Sequence, residues 1–307
     1  MIFRKLEKQE APAKTLPARE APRVAVIIPS LKGEVSALLQ ALQEQTWKPD
    51  EVEVIRGVRP NGRARNRGVA TTQGDILVFI DDDALPGCTD LIECLVQPLL
   101  EDDTVGLTGA ARVLPPQSPW FQRRVAREIP RTVNDVPTAP LETNPPQVGY
   151  GHSQITTTCC AIRREVYEQA GAFSDTLTSG VDTDFFYRVR RLGYRFLMVP
   201  GVYVEHPAPG SLAALLRKFH WYGMGYGQET QRRPEQRMGP RLPTAFHRLA
   251  FLTLATLWVL PNMIFLYSFG YPRLELGFRP LKALSTYAVA WGYVKAWQRG
   301  NHATIVQ

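Results

Sequence analysis

Two rhythms of apolar and polar positions run along this chain, and the switches between them mark its elements. Val24-Ala25-Val26-Ile27-Ile28 is an unbroken, mostly β-branched run ended by Pro29-Ser30. Such a run is the pattern of a strand buried on both faces of a parallel sheet. Between Glu34 and Thr46 the apolar residues fall at 35, 38, 39 and 42. That spacing predicts a helix, and Pro49-Asp50 stops it. Glu51 to Ile55 predicts a second strand, giving a βαβ start. A helix over about 64–72, ended by Gly74, leads into the apolar run Ile76-Leu77-Val78-Phe79-Ile80. Further helices are predicted over 89–100, 163–170 and 182–192, and strands over 105–113, 155–162 and 195–204. The fold class expected is α/β, a mostly parallel sheet flanked by helices.

Other stretches break this alternation. Met1 to Pro22 is rich in Ala, Pro, Lys and Glu and has no apolar run, so it reads as a flexible arm rather than a secretory signal. Residues 115–150 hold eight prolines and the cluster Arg123, Arg124, Arg127 and Arg131. A long, partly irregular excursion from the core is expected there. Ser211 to Tyr226 predicts an amphipathic helix running into Gly223, Gly225 and Gly227. That triplet follows no strand and is no dinucleotide fingerprint. The chain therefore divides into an arm at 1–22, an α/β domain at 23–210 and a helical region at 211–307.

Leu249 to Phe269 contains no charged residue over 21 positions. At ~1.5 Å per residue it is long enough for a bilayer core of ~30 Å, although Pro261-Asn262 interrupts its middle. A crossing or re-entrant anchor is the leading reading. An interfacial helix pair and a buried core helix stay open beside it. The basic residues between Arg232 and Arg248 favour a cytoplasmic face for everything upstream. A second apolar stretch, Leu284 to Val294, is too short for a crossing.

The 307 residues carry a formal net charge of +7 and a pI of about 9.3. An anionic partner fits this balance: nucleotide phosphates, nucleic acid or an acidic membrane surface. Nucleic acid is not expected, because the arginines are not interleaved with aromatic residues as a strand-binding platform needs. Cys88, Cys94, Cys159 and Cys160 form no C-x-x-C pair and read as reduced, packed thiols.

Asp81-Asp82-Asp83 directly follows the run 76–80. Clustered carboxylates at the end of a buried strand repel one another and lose solvation. A divalent cation compensates for that and can hold a diphosphate; solvated acids at a polar strand end are the plainer reading.

With these residues in view, the chain resembles a family 2 glycosyltransferase of the GT-A fold over about residues 23–210. The stretches that carry the likeness are VAVIIPS at 24–30, GRARNRGVATTQGD at 62–75, ILVFIDDDALP at 76–86, AIRREVYEQAGAF at 161–173 and SGVDTDFFYRVRRLGYRF at 179–196. The resemblance implies inverting transfer of a sugar from a nucleotide-diphospho sugar. It makes Asp83 the main ligand of Mg²⁺ or Mn²⁺, Asp81 a ligand or ribose contact, and His206 a further ligand. Asp82 is placed on the nucleotide side or facing solvent. Asp182 matches the catalytic base, with an N-cap as its bland alternative. Pro29, Ser30, Arg65 and Asn66 are implied on the donor side, with Arg56 and Arg63 as looser contacts to diphosphate or base.

Two departures qualify the match. Ile55-Arg56-Gly57-Val58 stands where the family commonly has an acidic pair that reads the base, and Val181 replaces the acid before the catalytic Asp. No QxxRW string follows, so transfer of a single sugar is expected rather than processive synthesis. The acceptor implied is a lipid-linked or cell-envelope glycan at the cytoplasmic face of the cell membrane, with the excursion at 115–150 shaping its side of the site. The alternatives are a metal-dependent nucleotidyltransferase and a non-catalytic scaffold of the same fold.

Overall fold

The computed structural model describes residues 22–129, 133–143, 154–233, 238–264 and 278–300. Residues 1–21 of the arm, Arg131, residues 144–150 of the proline-rich excursion with 151–153 after it, Arg237 and the last part of the 249–269 run lie outside them.

The chain opens with β1 (Val24–Ser30), α1 (Ser36–Gln43), β2 (Glu51–Arg56), α2 (Asn61–Thr71) and β3 (Ile76–Ile80). A short β4 (Leu85–Pro86), α3 (Leu91–Glu101) and β5 (Val105–Val113) follow. The proline-rich excursion contains α4 (Trp120–Glu128) and β6 (Leu141–Thr143). Next come β7 (Cys159–Arg163), α5 (Arg164–Ala170), α6 (Val181–Arg191) and β8 (Arg195–Glu205). Three long helices close the chain: α7 (Leu212–Arg232), α8 (Ala245–Ile264) and α9 (Pro280–Arg299).

The strands form one sheet in the order β2-β1-β3-β7-β5-β8-β4, with β6 added on β8. β1 pairs in parallel with β2 and β3, and β5 with β8. β7 runs antiparallel between β3 and β5. The sheet is therefore mixed and mostly parallel, as expected. The strand expected over 155–162 is shorter: only Cys159–Arg163 pairs, and Ile155 instead packs against Gly109, where a side chain could not fit.

Alternation along the strands feeds two cores. Val24, Val26 and Ile28 face one side, with Leu38 and Leu42 of α1 and Leu91 and Leu95 of α3. Ala25 and Ile27 face the other, with Val69 of α2, Val166 and Tyr167 of α5, and Phe185 and Phe186 of α6. This double burial explains why β1 reads as continuous apolar sequence. The four cysteines are free thiols. Burial is the main reason that Cys159 and Cys160 titrate far above the ordinary thiol value.

The glycine triplet lies inside α7, not at its end. A side chain on Gly223 would meet the Val289 carbonyl oxygen at 2.0 Å, and one on Gly227 would meet Ala296 Cβ at 2.6 Å. Gly292 of α9 presses equally closely on the His220 carbonyl. Gly223 and Gly227 are thus the surface on which α9 crosses α7. Among the described residues, no helix is long and apolar enough to cross a membrane. The crossing expected for 249–269 therefore finds no support in α8. The buried-helix alternative also fails there, because Leu249, Leu254, Leu257 and Leu260 are exposed.

Candidate active site

The carboxyl ends of β1, β3 and β8 meet at one edge of the sheet, the usual ligand edge of open α/β sheets. β3 ends at Ile80, and the three aspartates follow. The chain then folds back as β4, pairing Leu85 with Glu205 at the end of β8. That short ladder sets Asp83 beside His206, whose Nε2 lies 3.4 Å from Asp83 Oδ1.

Asp81, Asp83 and His206 each offer a ligand atom, and these atoms lie within 4.8 Å of one another. Two carboxylates and one imidazole suit a divalent cation and leave room for phosphate oxygens, so the donor set fits Mn²⁺ or Mg²⁺. Burial alone would raise the Asp83 carboxyl, but the His206 hydrogen bond, its charge and that of Lys218 outweigh it and hold the group below its ordinary value. Asp83 is thus kept ionised, as a ligand must be.

Each aspartate has a different neighbour. Asp81 Oδ1 accepts from Arg65 at 2.7 Å, and Arg65 is buried on α2 with 2% of its side chain exposed. A guanidinium is suited to such a pairing, because it stays charged when buried. Asp82 turns away and accepts from the Ser30 hydroxyl at 2.6 Å. Burial raises its carboxyl, and the charges of Asp83 and Asp81 add to that against the Ser30 bond. The Ser30 hydroxyl also accepts from the Gly33 amide at 2.8 Å. Ser30 thus links the end of β1 to the acidic turn, and Pro29 is part of the fully buried strand that sets it there.

The arginine run divides. Arg65 enters the site, whereas Arg56 and Arg63 are exposed. Arg56 lies across Gly33, where an added Cβ would come within 2.7 Å of its Nε. Asn66, implied as a donor contact, is occupied elsewhere. Its amide donates to the Phe173 carbonyl and accepts from the Phe173 amide and the Tyr167 hydroxyl. It staples α2 to the turn after α5 and acts on the site through structure.

At the start of α6 the N-cap is Gly180, in the left-handed region at φ 74°. Asp182 is therefore in the first turn and not the cap. It is half-buried, and its Oδ1 accepts from the Thr183 amide at 2.9 Å. Asp184 is buried and paired with Arg188 at 2.9 Å and Arg233 at 2.7 Å. The Cys160 thiol in β7 feels the charges of Arg65, Asp182 and Asp81, so both carboxylates lie within electrostatic range of the end of β7.

Sequence reasoning missed what α7 contributes. Lys218 reaches Asp83 electrostatically and lines a cleft with His206, Arg112 and Tyr222. The loop before α6 is held by α7 as well. The Ser179 hydroxyl donates to the Trp221 carbonyl at 2.9 Å, and the Thr178 amide donates to Gln228 at 2.8 Å. No motif marks these residues; only their place on the amphipathic helix brings them to the site.

The fold and this donor set define a GT-A transferase, the class that moves sugars from nucleotide donors. The chain belongs to the glycosyltransferase-like family 2, whose model matches residues 14–223. Among solved structures it is similar to the mannosyltransferase PcManGT from Pyrobaculum calidifontis, in complex with GDP-Man and Mn²⁺. The identity is 17% and the TM-score 0.52, over 94% of this chain and 90% of that one. It is more distantly similar to GalNAc-T7 with UDP, GalNAc and Mn²⁺, at 16% identity and a TM-score of 0.44, over 71% of this chain and 52% of that one. No curated protein sequence matches. Family membership makes the chain a glycosyltransferase rather than a nucleotidyltransferase.

Proposed function

We propose that the protein transfers a single sugar, with inversion, from a nucleotide-diphospho sugar to an acceptor hydroxyl. The observation that carries this reading is the gathering of Asp81, Asp83 and His206 after β3 and β8, with Asp182 in electrostatic range of the same β7 thiol as Asp81. Asp83, Asp81 and His206 would hold Mg²⁺ or Mn²⁺, which supplies charge stabilisation to the departing nucleoside diphosphate. Lys218 adds a second positive charge beside Asp83, where the distal phosphate is expected to lie.

An inverting displacement needs one carboxylate to take the acceptor proton. Asp184 is neutralised by two arginines, so Asp182 is the acid suited to that role. The acceptor is read as a lipid-linked or cell-envelope glycan, with the enzyme working at the cytoplasmic face of the cell membrane. Support for that part comes from the basic, apolar C-terminal region.

The test is a thermal-shift screen of UDP, GDP, dTDP and their sugars with Mn²⁺, followed by transfer assays on the best donor. GDP-Man is the first donor to try, since the mannosyltransferase of similar fold holds it. A ligand bound only to the folded state raises its stability by mass action. Should no nucleotide sugar give a metal-dependent shift, the proposal is wrong.

A further inference from the structure

Helix α8 is apolar on two faces, and α9 covers only one. Phe251 stacks on Tyr293 with ring centroids 5.7 Å apart, and Ala255, Val259 and buried Asn262 lie along the same side. On the opposite side Phe246, Leu249, Leu257, Leu260 and Ile264 form a stripe at helical spacing, 55% to 76% exposed. Leu254 and Trp258 carry this apolar surface round into a groove of about 320 Å³ shared with α9. A helix that is apolar all round is stable when buried in protein or in lipid, and among the described residues none covers the outer stripe.

Charge indicates what covers it. Residues 236–307 hold eight Lys and Arg and a single acid, Glu275, whereas residues 1–235 balance 28 basic against 28 acidic side chains. The whole formal net charge of +7 therefore belongs to the C-terminal region. An exposed apolar stripe within an almost acid-free, basic region is complementary to an anionic lipid surface. Seating in the plane of the membrane needs no helix long and apolar enough to cross, and among the described residues none is.

We infer that α8 lies along the surface of an anionic bilayer. Its outer stripe sinks among the acyl chains, and Arg241, just before the helix, sits among the headgroups. This deepens the membrane part of the proposed function and is independent of the chemistry. It brings the site to the surface where a lipid-linked acceptor would be.

Flotation of the full chain with vesicles tests this, with nucleotide-induced thermal shift measured on the same samples. Wild type should float with vesicles containing phosphatidylglycerol and much less with pure phosphatidylcholine. L257E/L260E should lower the partition roughly tenfold or more, and R241Q about fivefold, while both keep the nucleotide shift. Wild type left in the soluble fraction, equal flotation on neutral vesicles, or a double variant that floats like wild type would each overturn the inference. So would a dimer, abolished by the double variant, that anionic vesicles do not compete away. If wild type floats but shows no nucleotide shift, the sugar-transfer reading fails and this one stands; a shift without flotation does the reverse.

Discussion

Asp182 and Asp184 stand on the same turn of α6, yet their surroundings give them opposite duties. Asp184 is buried and held by Arg188 and Arg233, so it fixes the helix. Asp182 keeps one local backbone bond and stays available for a proton. Asp182→Asn is accordingly expected to lower kcat roughly 10²- to 10⁴-fold while nucleotide affinity with Mn²⁺ stays near wild type. Asp83→Asn should instead weaken metal-dependent nucleotide binding itself. Calorimetry with nucleoside diphosphate separates the two, and equal binding loss in both would contradict the division. Lys218→Met should weaken nucleoside diphosphate binding roughly tenfold to a hundredfold and affect the monophosphate little. Equal losses for both ligands would place the ammonium elsewhere. The aspartates and His206 were legible in the sequence because they end strands. Lys218 was not, because helical spacing says which side chains share a face but not what that face meets.

Helix α7 shows how one element serves both packing and site. Its glycines let α9 cross on one side. On another, a side chain at Gly225 would come within 2.4 Å of the Ser179 backbone oxygen. Gly225→Ala must push α7 away from the loop that leads into Asp182. We expect a loss of about 1–3 kcal/mol in stability together with reduced kcat, read by denaturant melts and transfer assays. The triplet was visible in the sequence, but its purpose was not, since close approach depends on a partner far along the chain. The same helix carries Glu229, buried without a hydrogen-bond partner for either oxygen among the described residues. Burial raises its carboxyl, and the Asp184 charge adds to that against Arg233, Arg232 and Arg188. A raised folded value means the native state holds this proton more tightly than the unfolded chain. Its contribution to stability is full below the unfolded value of about 4.5 and is lost as pH rises through the folded value. Glu229→Gln should therefore melt above wild type at neutral pH, with the difference closing in acid. A lower melting temperature for the variant at neutral pH would mean that the Arg233 pairing outweighs the burial.

At the scale of the whole molecule, the sequence suggested an α/β domain ending at 210 and a helical appendage. The α/β part was legible, because β1 and β3 are buried on both faces and write that burial as continuous apolar runs. The antiparallel insertion of β7 was not, since a five-residue strand has the same pattern in either direction. Nor was the dependence of the domain on the appendage. Ser179 and Thr178 take partners from α7 and Asp184 from Arg233, the C-cap of that helix, and Arg232 donates to Ser174 and Thr176 in the loop before α6. A chain cut after Gly210 would lose those bonds, the Lys218 charge and the Arg233 partner of a buried carboxylate. Removing one partner of a buried ion pair costs about 3–5 kcal/mol, although Arg188 would still hold Asp184 and soften the loss. The cut chain is thus expected to melt several degrees lower, to bind nucleoside diphosphate more weakly, and to transfer no sugar even with a water-soluble acceptor. A chain cut after Arg233 would keep those bonds but lose the cover that α9 gives α7, so it should bind nucleotide better than the shorter chain while melting below the full one. Equal binding by both truncated chains would show that α7 serves only as a foundation for α8 and α9.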